Sequence, residues 1–492
     1  MGLIGIFLAL GFLIALAYRG WSVLLLAPIA ALIAAAAARE PLLAHWTQTF
    51  MGGATKFLAE FFPLFLLGAL FGKLMDDSGS VSAIASLMTD RLGPRRAMLA
   101  VVLAGAIITY GGVSLFVAFF VLAPMAQSLF QAANIPRRLM PAAIVLGTST
   151  FTMSALPGTP AIQNAIPMPF FGTTPFAAPG LGSVASLIML AFGLWWLHRA
   201  EAAARARGEH YRVATVDVAA DTVDVAADKA AKDDFVRERA VAAREFDPAE
   251  IHHGQHGKTL PPTVEAVLPL VIVITVNLLM ALVILPRLDL SYLSQERWGP
   301  TSLAAVGGIW AVATALTAAI LTVVALNWSR LPSLRESMDA GANASVLPAI
   351  GVASLVGFGA VVAEMPAFAM VRDLVLGIGG GPLVSLAVAI NVLSALTGSA
   401  SGGMTIALDA LGETYLRLAS EANIDPALLH RVATISAGTL DSLPHNGAVV
   451  SLLAVCGLTH RDSYRDIVMV GIVGALLALL AVILLGSQFG SF

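Results

Sequence analysis

The sequence predicts an all-α polytopic membrane protein with two inverted-topology repeats, re-entrant hairpins and broken helices. Three observations predict this fold class: an apolar composition, apolar runs along the whole chain, and paired polar breaks that share one spacing. Of the 492 residues, 58% are hydrophobic and 12% are charged, and the mean hydropathy is +0.84. A helix needs about 20 apolar residues to cross a bilayer. Such runs recur along the chain, so we expect a multi-pass membrane protein with the lipid bilayer as its solvent.

The composition also excludes several classes of protein. A net charge of −3, with no basic run interleaved with aromatic residues, excludes nucleic acid as a partner. The single cysteine, Cys456, excludes a disulfide framework and a cysteine-based metal site, and we interpret it as a packing residue. We expect no metal centre and no cofactor. No Lys or Arg precedes the first apolar run and no clear cleavage site follows it, so this run is predicted to be a retained span.

One long polar segment divides the chain. Residues 199–258 contain ten Lys or Arg and twelve Asp or Glu, and the heptapeptide Thr-Val-Asp-Val-Ala-Ala-Asp occurs there twice in tandem. We predict a first transmembrane repeat at 1–198, a cytoplasmic charged linker at 199–262 and a second transmembrane repeat at 263–492. A regulatory module is the functional alternative for the linker. Its histidines are interpreted as solvated residues rather than metal ligands; they are His252, His253 and His256.

Continuous apolar runs predict uninterrupted spans in both halves. They lie near residues 2–17, 21–38, 56–74, 182–198, 264–285, 302–326, 340–361 and 467–485. Two further stretches of the first half, 97–136 and 139–197, contain no charged residue but are interrupted. The interruptions are Tyr110-Gly111-Gly112-Val113-Ser114 and the polar run from Ser149 to Pro160. Proline removes a helical donor and glycine is a poor helix former, so both sites predict broken helices.

The same pair of breaks recurs in the second half. Thr397-Gly398-Ser399-Ala400-Ser401 and the run from Ser436 to Gly447 lie 287 residues after their counterparts. At this one offset Gly111 falls on Gly398, and Pro157 falls on Pro444. Two separated motifs in one register indicate an internal duplication.

Positive residues predict the topology. Arg91, Arg95 and Arg96, then Arg137 and Arg138, then the linker are all expected to be cytoplasmic. Residues 97–136 must then enter the membrane and return on the same side, as a re-entrant hairpin or an even number of crossings. The broken segment 139–173 would cross outward and 182–198 would cross back. An odd number of crossings in the first half would invert the second, a plan that recurs among secondary transporters.

The breaks are the candidate substrate site. A helix broken inside the membrane needs a polar cavity beside it, because unpaired N–H and C=O groups are costly in hydrocarbon. The new helix N-termini attract carboxylates. Small residues also allow close helix packing, which is the structural alternative. The candidate substrate-binding residues of the first half are Tyr110, Gly111, Gly112, Ser114, Ser149, Thr152, Ser154, Pro157, Gly158, Thr159, Gln163 and Asn164. Those of the second half are Thr397, Gly398, Ser399, Ser401, Ser436, Thr439, Ser442 and Asn446.

Only the second half carries ionisable residues at its breaks. Asp441 and His445 flank Leu443-Pro444, and ionisable residues inside a membrane are costly and commonly functional. We expect both to carry or sense the coupling proton. The alternative is that Asp441 caps a half-helix while His445 donates to a carbonyl. Glu364 and Asp409 are secondary candidates that also fit a position near the membrane interface.

At these breaks the chain resembles the gluconate permease family of proton symporters, within the larger ion transporter superfamily. The resemblance rests on Tyr110–Ser114, Ala155–Pro160, Thr397–Ser401 and Leu443–Gly447. It implies two inverted repeats with re-entrant hairpins, a homodimer, and a transport domain that moves against a scaffold. It also implies that a small hydroxylated monocarboxylate, such as a sugar acid or a hydroxybutyrate, enters with protons. Leu156–Pro160 stands where a Pro-His-Pro-Gly-Pro type of core is expected, so a shorter hydroxy acid is as good a candidate as gluconate.

The resulting expectation is a proton-coupled secondary transporter of a small organic anion, and not an enzyme. Sodium-coupled uptake of a di- or tricarboxylate is the nearest alternative, because backbone carbonyls at the same breaks could coordinate Na⁺. An intramembrane hydrolase is a weaker alternative, since the sequence has no His-Glu-x-x-His and no Gly-x-Ser-x-Gly motif. A passive channel would differ in that uptake never exceeds equilibrium.

Overall fold

The computed structural model describes residues 2–17, 21, 23–211, 259–299, 301–331, 333–444 and 446–492. The tandem heptapeptide and the three linker histidines lie outside these residues, as does His445. Within the described part, six helices are long and apolar enough to cross a membrane, and one sharply bent helix pair would make a seventh span. The six are Leu42–Asp77, Pro179–Ala206, Thr263–Arg287, Leu303–Asn327, Leu334–Glu364 and His460–Phe489.

The chain begins with two short apolar helices, α1 (Gly2–Ala17) and α2 (Val23–Ala38). Each has 16 residues, about 24 Å of helix, whereas the hydrocarbon core is about 30 Å thick. Their bounds agree with the apolar runs at 2–17 and 21–38 that the sequence predicts as spans. A Cβ on Gly5 would lie 2.2 Å from the Cβ of Ala37, so glycine permits the close contact between the two helices. Their apolar faces pack with Phe358 and Val361 in one cluster.

The first repeat consists of a long helix, a hairpin, a broken helix and a final span. Its helices are α3 (Leu42–Asp77), α4 (Ser80–Leu92), α5 (Ala97–Tyr110), α6 (Leu115–Ala132), α7 (Met140–Thr148), α8 (Phe151–Ser154), α9 (Ile162–Ala165), α10 (Pro167–Phe171) and α11 (Pro179–Ala206). Helices α5 and α6 pack against each other across the break at Gly111–Ser114. This is the predicted re-entrant hairpin, and we call it the first hairpin.

Two spans, α12 (Thr263–Arg287) and α13 (Leu303–Asn327), open the second half of the chain, 263–492. They are followed by α14 (Leu334–Glu364), α15 (Phe368–Leu376), α16 (Gly381–Thr397), α17 (Ala400–Glu421), α18 (Pro426–Thr439), α19 (Gly447–Val455) and α20 (His460–Phe489). Helices α16 and α17 form the second hairpin. They approach so closely that a Cβ on Gly403 would lie 2.3 Å from the backbone nitrogen of Ser394.

The order of elements repeats at the spacing found in the sequence. Helix α3 ends at residue 77 and α14 at 364, and the first arms of the two hairpins end at residues 110 and 397. Both intervals are 287 residues. Helices α3 and α14 nevertheless run in opposite directions: Asp77 at the end of α3 accepts a hydrogen bond from Ser337 at the start of α14 (2.6 Å). At the other end, Thr49 donates to Glu364 (2.9 Å).

Charged residues gather where the first repeat meets the start of α20. Arg138 donates to Glu209 (2.7 Å) and to Asp466 (2.5 Å), and Trp196 donates to the second oxygen of Asp466 (3.0 Å). The hydrogen bond from the Arg138 guanidinium lowers the pKa of the Glu209 carboxyl. The start of the linker therefore lies beside the arginines that the sequence assigns to the cytoplasmic side.

Candidate functional site

The tips of both hairpins meet at one cavity of about 230 Å³. The two proline-containing helices α3 and α14 complete its wall. Its lining residues are Val23, Leu64, Phe65, Gly68, Ala69, Thr109, Gly112, Val113, Ser114, Leu115, Met153, Pro160, Ala161, Ile162, Gln163, Ala344, Ser345, Pro348, Gly351, Val352, Leu355, Thr397, Gly398, Ser399 and Ser401. The cavity thus takes its walls from both repeats.

The tip of the first hairpin depends on Gly112. Its φ of +98° is open to glycine and strained for other residues. A Cβ at this position would also lie 2.9 Å from Cγ of Pro160, which belongs to the broken segment that follows. Tyr110 ties the same two parts together, because its hydroxyl donates to the carbonyl of Pro157 (2.7 Å). The first hairpin and the first broken helix are therefore held as one wall.

The tip of the second hairpin turns at Gly398, whose φ is +66°. Ser399 then caps α17, since its hydroxyl accepts a hydrogen bond from the Gly402 N–H (3.2 Å). The hydroxyl of Ser401 lies 3.3 Å from that of Ser399. These residues present hydroxyl groups and backbone amides to the cavity.

Asp441 and Asn446 hold this second tip from behind. The Ala400 N–H donates to Asp441 Oδ1 (2.9 Å), so the carboxylate lies at the N-terminus of α17. The Asn446 amide donates to the same oxygen (2.8 Å) and to the carbonyl of Gly398 (2.9 Å). Asn446 Oδ1 also accepts from the Ala448 N–H at the start of α19 (2.7 Å). The second broken helix therefore supports the hairpin tip instead of lining the cavity.

Seven of the predicted binding residues line the cavity. They are Gly112, Ser114, Gln163, Thr397, Gly398, Ser399 and Ser401. Gln163 differs from the other lining residues, because its Oε1 is buried and has no hydrogen-bond partner in the described part of the chain. A buried amide oxygen without a partner is costly, so this atom is ready to accept a hydrogen bond from a molecule in the cavity.

The other predicted residues of the first half lie behind the wall. The hydroxyls of Thr152 and Ser154 donate to carbonyls one turn back, on Thr148 and Thr150. The Ser149 hydroxyl lies 3.1 Å from that of Thr148, and the Thr159 hydroxyl accepts from the Ala161 N–H.

Two glycines of the first half pack against α12. A Cβ on Gly111 would lie 2.1 Å from Leu270, and the Gly158 carbonyl accepts from Asn277 (3.0 Å). Each contact joins a break of the first repeat to the same span.

Three predicted residues of the second half are also behind the wall. Thr439 donates to the carbonyl of Ile435 (2.7 Å), and the Ser442 carbonyl accepts from the Tyr464 hydroxyl (3.2 Å). The Ser436 hydroxyl is buried and has no partner among the described residues.

Two adjacent buried residues of α18 were not predicted. His430 and Arg431 are both fully buried. The two ring nitrogens of His430 lie 2.6 Å from the Thr173 hydroxyl and 3.1 Å from Asn164 Oδ1. The Arg431 guanidinium donates to the carbonyls of Ala155 (3.1 Å) and Ala177 (2.6 Å). The sequence could have pointed to these two residues, because a histidine and an arginine stand side by side in an otherwise apolar helical stretch.

The lining of the cavity includes no ionisable side chain. Asp409 instead lies on α17 above the second tip, with an oxygen 3.9 Å from Lys56 of α3. Glu364 is exposed at the end of α14. Among the described residues no group of three or more His, Cys, Asp or Glu could hold a metal ion.

Sequence comparisons place the chain among known transporters. A model of the GntP family of permeases matches residues 1–168. The uncharacterized transporter YxjC of Bacillus subtilis is 40% identical over 474 residues, which is 95% of each chain. The high-affinity gluconate transporter of Escherichia coli is 34% identical over 122 residues, covering 24% of this chain and 27% of that protein.

Two solved structures share the fold. One is the YdaH transporter of Alcanivorax borkumensis, described as having an unusual topology, with a TM-score of 0.50, 14% identity, and coverage of 90% of this chain and 88% of that one. The other is MtrF of Neisseria gonorrhoeae, from a class of antimetabolite efflux pumps, with a TM-score of 0.52, 13% identity, and coverage of 92% and 85%. At these identities the similarity concerns the fold alone.

Proposed function

Because this chain belongs to the GntP permease family, we propose that it is a secondary active transporter that carries a small hydroxylated monocarboxylate into the cell together with protons. The observation that carries the proposal is the single cavity in which both hairpin tips meet. Its volume of about 230 Å³ is below the usual range of about 300–1,000 Å³ for drug-sized ligands. It therefore suits a small metabolite.

The substrate hydroxyls would bind to the polar groups of the wall. Ser399 and Ser401 offer hydroxyls from one side, and Gln163 offers its amide oxygen from the other. Pro348 has no N–H to give to the carbonyl of Ala344, and both residues line the cavity. That carbonyl is a further acceptor that the helix itself cannot satisfy.

The substrate carboxylate would lie at the first hairpin. At the second hairpin, the Asp441 carboxylate already accepts a hydrogen bond from the N-terminus of α17. The residue 287 positions earlier is Ser154, and its neutral hydroxyl donates to Thr150. No carboxylate among the described residues takes the equivalent place at the start of α6, so we assign that place to the substrate carboxylate.

Proton coupling would run through Asp441, with His445 as its expected partner. The ionised carboxylate accepts two hydrogen bonds, from Ala400 and Asn446. Protonation would weaken both bonds because they are charge-assisted, and it would loosen the second hairpin tip. The proton would thereby act on a wall of the substrate cavity.

The opposite directions of α3 and α14 support a plan of two inverted repeats. In this plan the hairpins would move against the long helices to expose the cavity to each side in turn. We further propose a homodimer in the bacterial inner membrane, with the charged linker on the cytoplasmic side.

Uptake into proteoliposomes tests the proposal. The purified protein should accumulate radiolabelled gluconate or 3-hydroxybutyrate above equilibrium when an inward proton gradient is imposed. Accumulation driven only by a sodium gradient, with a di- or tricarboxylate as substrate, would favour the alternative. Uptake that stops at equilibrium under every gradient would contradict a symporter and indicate a channel.

A further inference from the structure

We propose that Arg431 makes the cavity selective for singly charged anions by placing a permanent positive charge behind its wall; this inference rests on the proposed function. Arg431 does not line the cavity itself. It is therefore a positioning and charge-supplying residue, and not a direct contact of the substrate.

The guanidinium joins the two repeats. Arg431 belongs to α18 of the second repeat, and its three described hydrogen bonds all go to carbonyls of the first. Nε and one terminal nitrogen donate to Ala177 (3.2 and 2.6 Å), and the other donates to Ala155 (3.1 Å). A Cβ on Gly182 would lie 3.2 Å from Nε of Arg431, so glycine at that position leaves room for the side chain.

The charge of Arg431 is not neutralised by these contacts. The side chain is fully buried, and it pairs with no carboxylate among the described residues. Arginine stays protonated in proteins, and a buried charge without a counter-charge is costly. Asp441 is ten residues further along the chain, and its carboxylate accepts hydrogen bonds at the second hairpin. A positive charge that pairs directly with no described carboxylate therefore lies between the two repeats.

This charge lies one layer behind the cavity. Ala155, which accepts from Arg431, stands between Met153 and Pro160 in the chain, and both of these line the cavity. Tyr110 holds the same segment from the hairpin side through the carbonyl of Pro157. The guanidinium thus bonds to the backbone of a segment that lines the cavity at Met153 and at Pro160.

His430 does not add to the charge. It is as deeply buried as Arg431, and its two nitrogens face a hydroxyl and an amide oxygen, on Thr173 and Asn164. A protonated imidazole next to a buried guanidinium would add like-charge repulsion to the cost of burial. His430 consequently serves as a neutral neighbour, and this makes it the matched control.

The cavity should therefore select its substrates by their charge. The cavity wall has no ionisable side chain of its own. Asp441 lies behind the second hairpin tip, and Arg431 is the positive charge that the described hydrogen bonds connect to the first-repeat side of the wall. A monoanion in the cavity balances this charge. A neutral analogue leaves it unbalanced, and a dianion brings an excess negative charge into a region of low dielectric.

The test compares a monoanion with its uncharged analogue in the same protein. In the wild type, gluconate should bind more tightly than gluconamide, and 3-hydroxybutyrate more tightly than its amide. Arg431→Gln should reduce this preference by about tenfold, because it removes the positive charge that favours the anion. Most of this reduction in preference should come from weaker binding of the anion. Arg431→Lys keeps a positive charge and should retain the preference to within about threefold.

Two further variants complete the test. Arg431→Met is a second neutral variant of similar length, and it is used if Arg431→Gln does not reach the membrane. His430→Gln is the control and should leave the preference for the anion unchanged. A neutral variant that loses affinity equally for anion and amide would overturn the inference, because it would show that Arg431 only shapes the wall. A wild-type protein that prefers no anion, yet transports, would also overturn it. A wild-type protein that accumulates no hydroxy monocarboxylate contradicts the proposed function, and the inference falls with it.

Discussion

The polar side chains that line the cavity carry hydroxyl and amide groups. Their hydrogen bonds distinguish side chains that stabilise a helix from a side chain that is available to a substrate. Ser399 caps a helix while it faces the cavity, and Thr397 donates to a carbonyl of its own helix (2.8 Å). Gln163 differs from both, since its Oε1 is buried and has no partner in the described part of the molecule. We therefore propose that atom as a contact of a substrate hydroxyl.

Replacing Gln163 by leucine should therefore weaken substrate binding. Gln163→Leu keeps the size of the side chain and removes the acceptor, at a cost of about 1–2 kcal/mol, or roughly tenfold in KM. The maximal rate should change less. Gln131→Leu, at an exposed glutamine near the end of α6, is the control and should leave KM unchanged. Equal kinetics for the two variants would remove Gln163 from the site.

Asp441 is expected to couple transport to the proton gradient. Asp441→Asn can still accept a hydrogen bond from the Ala400 N–H, so the hairpin tip should remain folded. Because the amide cannot titrate, accumulation under a proton gradient should fall by about tenfold or more while substrate exchange at equal pH persists. Both are measured in proteoliposomes.

Asp425 offers a matched control for this experiment. It caps α18 through the Ala427 N–H (2.8 Å) and is exposed, so Asp425→Asn should preserve accumulation. Full accumulation by Asp441→Asn as well would mean that the carboxylate is a helix cap alone.

At the scale of elements, the long helix α3 supplies a smooth wall of the cavity. Gly68 lines it, and a Cβ built there meets no atom within 4 Å. Gly52 lies on the same helix, also with nothing within 4 Å, but away from the cavity. Both positions have room for a side chain, but Gly52 is exposed whereas a side chain at Gly68 would enter the cavity.

Gly68→Leu should block the cavity without unfolding the helix. Glycine inside a helix is less favourable than leucine by roughly 0.5–1 kcal/mol, so the melting temperature in detergent should stay equal or rise. Uptake should fall at least about tenfold, and Gly68→Ala should reduce uptake of gluconate more than that of 3-hydroxybutyrate. Gly52→Leu should stabilise the protein equally and transport normally. Normal uptake by Gly68→Leu would show that the substrate binds elsewhere.

The elements were largely predictable from the sequence, whereas their contacts were not. Paired glycines and prolines mark the breaks because they disfavour helix locally, and the spacing of 287 residues recurs in the helix ends. Which break faces the cavity depends on packing: Asn446 and Asp441 turned out to brace the tip, and Arg431 crosses to the other repeat. The ends of α1 and α2, by contrast, follow the apolar runs closely.

At the scale of the whole molecule, the two repeats have a measurable consequence for orientation. The start of α3 contacts the end of α14, and the end of α3 contacts the start of α14. If α4 and the linker are cytoplasmic, residues 48 and 364 must lie outside and residues 91 and 335 inside. Equivalent ends of the two repeats then open to opposite sides of the membrane, as alternating access requires.

Cysteine labelling of whole cells tests this orientation directly. The single native cysteine, Cys456, is buried, so the wild type should resist a membrane-impermeant maleimide and serve as the blank. Gln48→Cys and Glu364→Cys, both at exposed positions, should label in intact cells. Arg91→Cys and Arg335→Cys, also exposed, should label only after the membrane is permeabilised. Labelling of positions 335 and 364 from the same side would contradict a membrane-spanning α14, and with it the inverted repeats on which the transport cycle depends.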